Sequence, residues 1–253
     1  MADFNPDSTL ARAVRASPNH GDRRGRTPDS VILHYTGMET EEAALARLCD
    51  PAAEVSSHYT IGADGTIIQL VPEAQRAWHA GQSCWAGETD MNSVSIGIEI
   101  MNGGHDFGLP PYPEAQIAAV IALCRDIGSR HAIASTRILG HSDIAPFRKR
   151  DPGELFPWGV LAAAGIGHYV VPQSGGGELP LKRDSSGEKV EALQGMLAIY
   201  GYGIDVTGLY GKETEVIVAA FQRHFRPARI DGIADDATIA TLRALLARRP
   251  REA

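Results

Sequence analysis

Two histidines and one aspartate are the side chains from which a reactive centre could be assembled in this chain. His34 lies inside an apolar run, and His141 follows Leu139-Gly140, where a strand signal gives way to a loop. Asp151 comes soon after, in Lys149-Arg150-Asp151-Pro152-Gly153. Two imidazoles and one carboxylate suit a catalytic zinc ion, because three protein ligands leave a fourth position for water. Local chemistry alone keeps other readings open. A histidine in an apolar strand needs partners for its ring nitrogens and more often finds them in the core. Asp-Pro-Gly is more often a plain turn. No HExxH sequence is present, so no single motif decides.

The elements that must position these residues follow from periodicity. Residues 30–36 are rich in β-branched and apolar side chains and predict a strand. Residues 39–49 predict a short helix through Ala43, Ala44, Leu45 and Leu48. Residues 58–62 and 66–71 predict a hairpin around Asp64-Gly65. Residues 95–100 predict a strand, and residues 137–139 a last short one. Between these two, residues 113–131 place Ile117, Val120, Ile121, Cys124 and Ile127 at helical spacing. This alternation predicts an α/β fold, a mixed central β-sheet flanked by helices. Residues 172–180, with three glycines between two prolines, read as a linker. Beyond it the pattern is helical. Ser185-Ser186-Gly187-Glu188 has capping-box form, and Val190, Leu193, Leu197 and Tyr200 share one face. Further helices are predicted at 212–225 and 236–248. An internal repeat aligns residues 207–214 with 231–238, each copy giving a glycine turn, an apolar anchor and a polar helix start. Residues 181–253 therefore predict a small all-α three-helix module after a larger domain at 1–171.

Several segments occur together in one order. They are Val31-Ile32-Leu33-His34-Tyr35-Thr36, Ser56-Ser57-His58-Tyr59-Thr60-Ile61 and Asp64-Gly65-Thr66-Ile67. Ala77-Trp78-His79-Ala80-Gly81, Ser95-Ile96-Gly97-Ile98-Glu99, Gly140-His141-Ser142-Asp143 and Arg148-Lys149-Arg150-Asp151-Pro152-Gly153 follow. Over about residues 28 to 160 the chain resembles the amidase-2 family of N-acetylmuramoyl-L-alanine amidases, whose fold is shared with peptidoglycan-recognition proteins. The resemblance implies one zinc ion per chain, held by His34, His141 and Asp151. Aspartate at the third position is similar to the AmpD-like and AmiD-like branches. It further implies Glu99 as the carboxylate that moves the water proton and Lys149 as the cation beside the attacked carbonyl. Trp78 is expected to offer an apolar face to sugar or peptide. His79 and His58 are expected to line the cleft for substrate or to brace the metal's ligands. His20, His105, His131, His168 and His224 match no motif and receive no role. The implied reaction is hydrolysis of the bond between N-acetylmuramic acid and L-alanine in peptidoglycan or muropeptides. A non-catalytic peptidoglycan receptor on the same fold is the alternative, and a zinc peptidase has no motif in its favour. Residues 179 to 246 resemble the peptidoglycan-binding type 1 module, with Thr207 standing where an aspartate is usual and Ala234-Asp235-Asp236 replacing a Gly-Pro turn.

Composition bounds the partners. The net charge of −7 lies entirely before residue 178, and neither half carries the basic footprint of nucleic-acid binding. No run approaches the roughly 18 apolar residues of a spanning helix, so membrane insertion is not expected. Cys49, Cys84 and Cys124 cannot all pair and none has CxxC spacing, so free thiols are expected. Residues 1–26 lack a signal-peptide core, which predicts a cytoplasmic protein, or a periplasmic one whose leader precedes this sequence.

Overall fold

The computed structural model describes residues 4–177 and 179–250; residue 178 of the expected linker and the ends of both expected domains lie outside these. Two short strands, β1 (Ala13–Val14) and β2 (His20–Gly21), lead to β3 (Ser30–Tyr35). Helix α1 (Glu41–Leu48) starts where the Thr40 side chain accepts the Ala43 N–H, with Glu41 and Glu42 in its first turn. Strands β4 (Tyr59–Ile61) and β5 (Ile67–Gln69) form the expected antiparallel hairpin. Gly65 turns it with φ +84°, and a Cβ there would lie 2.7 Å from the Ala115 carbonyl oxygen, so only glycine fits. Next come β6 (Arg76–Ala77), α2 (Met91–Val94), β7 (Ser95–Ile100) and the long α3 (Glu114–Arg130). The larger half closes with β8 (Ile138–Gly140), α4 (His141–Ile144) and α5 (Trp158–Ala163). Helices α6 (Glu188–Tyr200), α7 (Lys212–Phe225) and α8 (Asp236–Ala247) make the C-terminal module.

The main sheet has the order β1-β5-β4-β7-β3-β8 and is mixed, as expected: β4, β7, β3 and β8 run parallel, while β5 opposes β4. Strand alternation sorts its faces. Val31, Leu33, Ile96, Ile98 and Ile100 pack with Ile117, Val120, Leu123 and Ile127 of α3. The intervening residues, Ile32 and His34 on β3 and Gly97 and Glu99 on β7, belong to the other face.

In the module, the repeat has a hydrogen-bonding reason. Gln194 Oε1 accepts the N–H groups of Thr207 and Gly208, and its Nε2 donates to the Leu209 carbonyl and the Thr214 hydroxyl. Gln222 does the same for Asp231, Gly232, Ile233 and Thr238. Thr207 Oγ1 and Asp231 Oδ1 accept the equivalent Gln Nε2 bonds, so the threonine replaces aspartate within a structural brace. One expectation needs correction. The Ser185-to-Glu188 segment is not a capping box: Gly187, at φ +99°, is the cap residue, and the Ser185 hydroxyl accepts the Lys182 N–H instead. The module packs directly on the larger half. One core runs through both halves, joining Ile32, Trp85, Ile144 and Val170 to Leu193, Tyr202, Phe221 and Phe225. Trp85 meets Tyr202 edge-on at 4.9 Å, and a Cβ on Gly201 would lie 2.5 Å from the Trp85 ring. Burial of aromatic side chains at such a seam stabilises by about 1.5–3 kcal/mol each.

Candidate metal centre and cleft

Strand register brings the reactive groups together. His34 is paired with Glu99 across β3 and β7, and Leu33 with Gly140 across β3 and β8, so His141 begins just past the same edge. All three stand at carboxyl ends of parallel strands, where open α/β sheets place their ligand sites. Asp151 is returned to this edge by the Ser142 N–H, which donates to its carbonyl at 2.9 Å.

The three expected ligands converge. His34 Nδ1 lies 2.9 Å from His141 Nδ1, and each lies 3.0 Å from Asp151 Oδ2. All three side chains are buried. Tautomers can be assigned from the hydrogen-bond network. The Ser95 hydroxyl donates to the Met91 carbonyl, so its oxygen accepts from His79 Nε2 at 3.2 Å. His79 Nδ1 therefore accepts from His34 Nε2 at 3.1 Å. His141 Nε2 donates to the Ala80 carbonyl at 3.0 Å. Both Nδ1 atoms thus turn lone pairs toward the Asp151 carboxylate, with no hydrogen among the three. Such a donor set is repulsive alone and fits a divalent cation, with nitrogen and oxygen ligands suited to zinc. Burial, then His141, pushes the His34 imidazole down to about 4, so it is neutral at pH 7.

Glu99 and Lys149 open onto the same cleft of about 360 Å³ as the three expected ligands. Glu99 Oε2 is buried without a hydrogen-bond partner. Burial and the nearby Asp151 raise its carboxyl well above the usual range, and Lys149 acts against them. A buried carboxyl group whose proton affinity is raised, on the same cleft as a lysine and a cluster of lone pairs, is equipped to accept a proton and return it.

Residues 24–154 match the N-acetylmuramoyl-L-alanine amidase family. The chain belongs to that family. It is 40% identical over 230 residues to the N-acetylmuramoyl-L-alanine amidase AmiD of Escherichia coli, covering 85% of this chain and 81% of AmiD. It is 42% identical over 160 residues to 1,6-anhydro-N-acetylmuramyl-L-alanine amidase AmpD of Enterobacter cloacae, covering 56% of this chain and 83% of AmpD. Among solved structures, a complex of E. coli AmiD with anhydro-N-acetylmuramic acid-L-Ala-D-gamma-Glu-L-Lys superposes with a TM-score of 0.77 at 37% identity, covering 94% of each chain. AmpDh3 of Pseudomonas aeruginosa gives 0.73 at 30% identity, covering 99% of this chain and 100% of that one. Residues 186–242 match a peptidoglycan binding domain family.

In this amidase His79 lines the cleft as expected, whereas Trp78 and His58 do not. His58 is fully buried: its Nδ1 accepts the Gly97 N–H at 2.9 Å, and its Nε2 lies 3.0 Å from the Gln75 carbonyl oxygen. Burial and Arg23 push it down to about 3. It braces β7 and cannot touch substrate. His79 is 6% exposed and serves His34, its ring lying over Gly97, where a Cβ would come within 2.5 Å. Trp78 is half-buried and does not line the metal cleft; its backbone exchanges hydrogen bonds with Ser56. Sequence reasoning missed Ser95, which orients His79, and Asn92, whose Oδ1 accepts the N–H groups of His79 and Ala80. The Ser95-Ile96-Gly97-Ile98-Glu99 segment held the signal, since a serine and a glycine on the Glu99 face interrupt an otherwise apolar strand.

Proposed function

We propose that this amidase hydrolyses the bond between the lactyl group of N-acetylmuramic acid and L-alanine, in peptidoglycan or muropeptides, with one zinc held by His34, His141 and Asp151. The observation that carries the metal assignment is the meeting of two buried imidazole nitrogens and a buried carboxylate oxygen at 2.9–3.0 Å from one another, whose assigned tautomers leave no proton among them. The chemistry that zinc supplies when bound at such a site is Lewis acidity, which acidifies water to a pKa of about 7 and polarises a carbonyl. Glu99 takes the proton of the attacking water. As the new carbon–oxygen bond forms and the carbon–nitrogen bond breaks, Glu99 delivers that proton to the departing L-alanine amine. Lys149 presents its ammonium to the charge that develops on the carbonyl oxygen. The C-terminal module would hold wall material and raise its local concentration. The substrate assignment is supported by AmiD, whose solved complex carries an anhydro-muramoyl peptide.

The test is chemical. A strong chelator should abolish activity and one equivalent of zinc restore it. A muropeptide should yield a free L-alanine amino group and no new reducing ends. New reducing ends would mean a glycosidase, and a metal-free enzyme of full activity would refute the zinc assignment.

A further inference from the structure

His224 was given no role from sequence, yet it lies at the centre of the contact between the module and the metal segment. Its Nδ1 is 2.8 Å from Asp143 Oδ2, and its ring is stacked on Trp158 at 3.7 Å and on Phe225 at 3.8 Å. The same Asp143 oxygen accepts the Gly140 N–H at 2.7 Å, and Asp143 Oδ1 accepts the Tyr202 hydroxyl at 2.9 Å. Asp143 is 1% exposed. A carboxylate so far from water needs donors, and two of its three come from the module. The third belongs to Gly140, the residue before the ligand His141. One residue before His224 on α7, Arg223 lies 3.6 Å from Glu154, which also accepts from His105 Nε2 at 3.0 Å. His105 in turn bonds the Tyr35 hydroxyl at 2.9 Å. Asp143 and Glu154 flank the stretch that carries Lys149 and Asp151.

We infer that the C-terminal module is part of the catalytic unit: Tyr202 and His224 are positioning residues that hold Asp143, and through it the turn bearing His141, while Arg223 steadies the far end of the same segment. The argument is one of alternatives for Asp143. With both module donors in place its carboxylate stays inside and fixes the Gly140 N–H. Without them it gains by turning toward water, and the backbone entering His141 loses its anchor. Ligand orientation set by such outer partners is what tunes metal affinity. The inference rests on the zinc reading above.

The full-length protein is compared with Tyr202→Phe, His224→Phe and the double variant. Each keeps an aromatic ring at the seam and removes only the donor. Zinc affinity is read by competition with a chromogenic chelator, and ligand geometry by the d–d absorption of the cobalt-substituted protein. Turnover is read on a soluble muropeptide. In the double variant the zinc dissociation constant should rise about 10–100-fold, the cobalt spectrum should change, and kcat should fall with little change in KM. His224→Asn, which keeps an N–H donor, should recover most of the loss. Tyr210→Phe is the control: it deletes a buried hydroxyl that donates to the Gly232 carbonyl within the module, and should lower stability without moving zinc affinity. A folded double variant with wild-type zinc affinity and cobalt spectrum overturns the inference, as does an equal effect from Tyr210→Phe. If the double variant does not fold, Tyr202→Phe alone decides by the same readouts. A wild-type protein that binds no zinc would instead sink the metal reading itself.

Discussion

Glu99 and His34 are register partners on adjacent parallel strands, so the group proposed to move the proton is fixed by the same sheet that fixes the ligand. Glu99 and Lys149 are outside the ligand set, and replacing either should leave zinc bound and the fold intact. Glu99→Gln should lower kcat by about 10²–10⁴-fold, the usual contribution of general acid–base catalysis. Lys149→Met should cost roughly 10²–10³-fold, by analogy with a deleted oxyanion donor. Metal analysis beside steady-state kinetics checks both; a Glu99→Gln enzyme keeping more than about a tenth of turnover would end that assignment. Gly97 gives a second test at this scale. A methyl group there would lie 2.5 Å from His79 Cγ, so Gly97→Ala should displace His79 and release the tautomer of His34. The expected result is zinc affinity weakened by about 10-fold or more, with stability reduced by about 1–3 kcal/mol from overpacking. Unchanged chelator competition would show that His79 does not orient His34.

The paired turns of the module rest on Gln194 and Gln222 as well as on their own glycines. Each glutamine is buried and satisfies two backbone N–H groups that no helix or strand partner reaches. Removing it strands both groups, at about 1–3 kcal/mol for each. Gln222→Ala should therefore destabilise the module far more than a surface substitution on the same helix. Hydrogen exchange should show the amides of Asp231 and Gly232 losing protection first. Persistence of that protection would mean that water replaces the side chain at no cost. The hairpin, α1, α3 and the module helices were all legible in sequence, because turn chemistry and apolar spacing act between near neighbours. The capping-box pattern misled because Gly187 had taken the cap position, a choice of backbone conformation that residue types alone do not reveal.

A core shared by both halves makes stability a property of the whole chain. Calorimetry should show one cooperative transition; two well-separated transitions would mean that the seam contributes little. Removing everything after Pro172 would uncover Trp85, Ile144 and Val170 together, a loss of about 5 kcal/mol or more. At this size the melting temperature should fall by on the order of 10–20 °C. The truncated protein should lose activity on soluble fragments as well as on sacculi, contrary to the behaviour of a tethered pair of domains. Acid should act through a different cluster. Glu73 is buried and accepts from Tyr59, Arg130 and His131, tying β4 to the end of α3. Burial alone would raise its carboxyl, yet these partners leave it lowered. A lowered carboxyl stabilises the folded state above the ordinary glutamate value of about 4.3 and loses that contribution as pH falls below it. The stability gap between wild type and Glu73→Gln, measured by urea unfolding, should be full at neutral pH and shrink below about pH 4. A gap independent of pH would place the effect in packing.

The sequence by itself determined the strands and helices, the mixed sheet, the two family segments, and the choice of His34, His141 and Asp151 as the proposed ligands. Period, turn residues and ordered motifs are properties of residues close along the chain, and they survive without coordinates. Only the tertiary structure decided what His58, His79, Trp78 and His224 do. His79 reaches His34 across 45 positions and His224 reaches Asp143 across 81. An imidazole has two nitrogens and no periodicity of its own. Its role is set by whichever donor or acceptor the packed core brings to each nitrogen, and that is fixed only when sheet, loops and module close on one another.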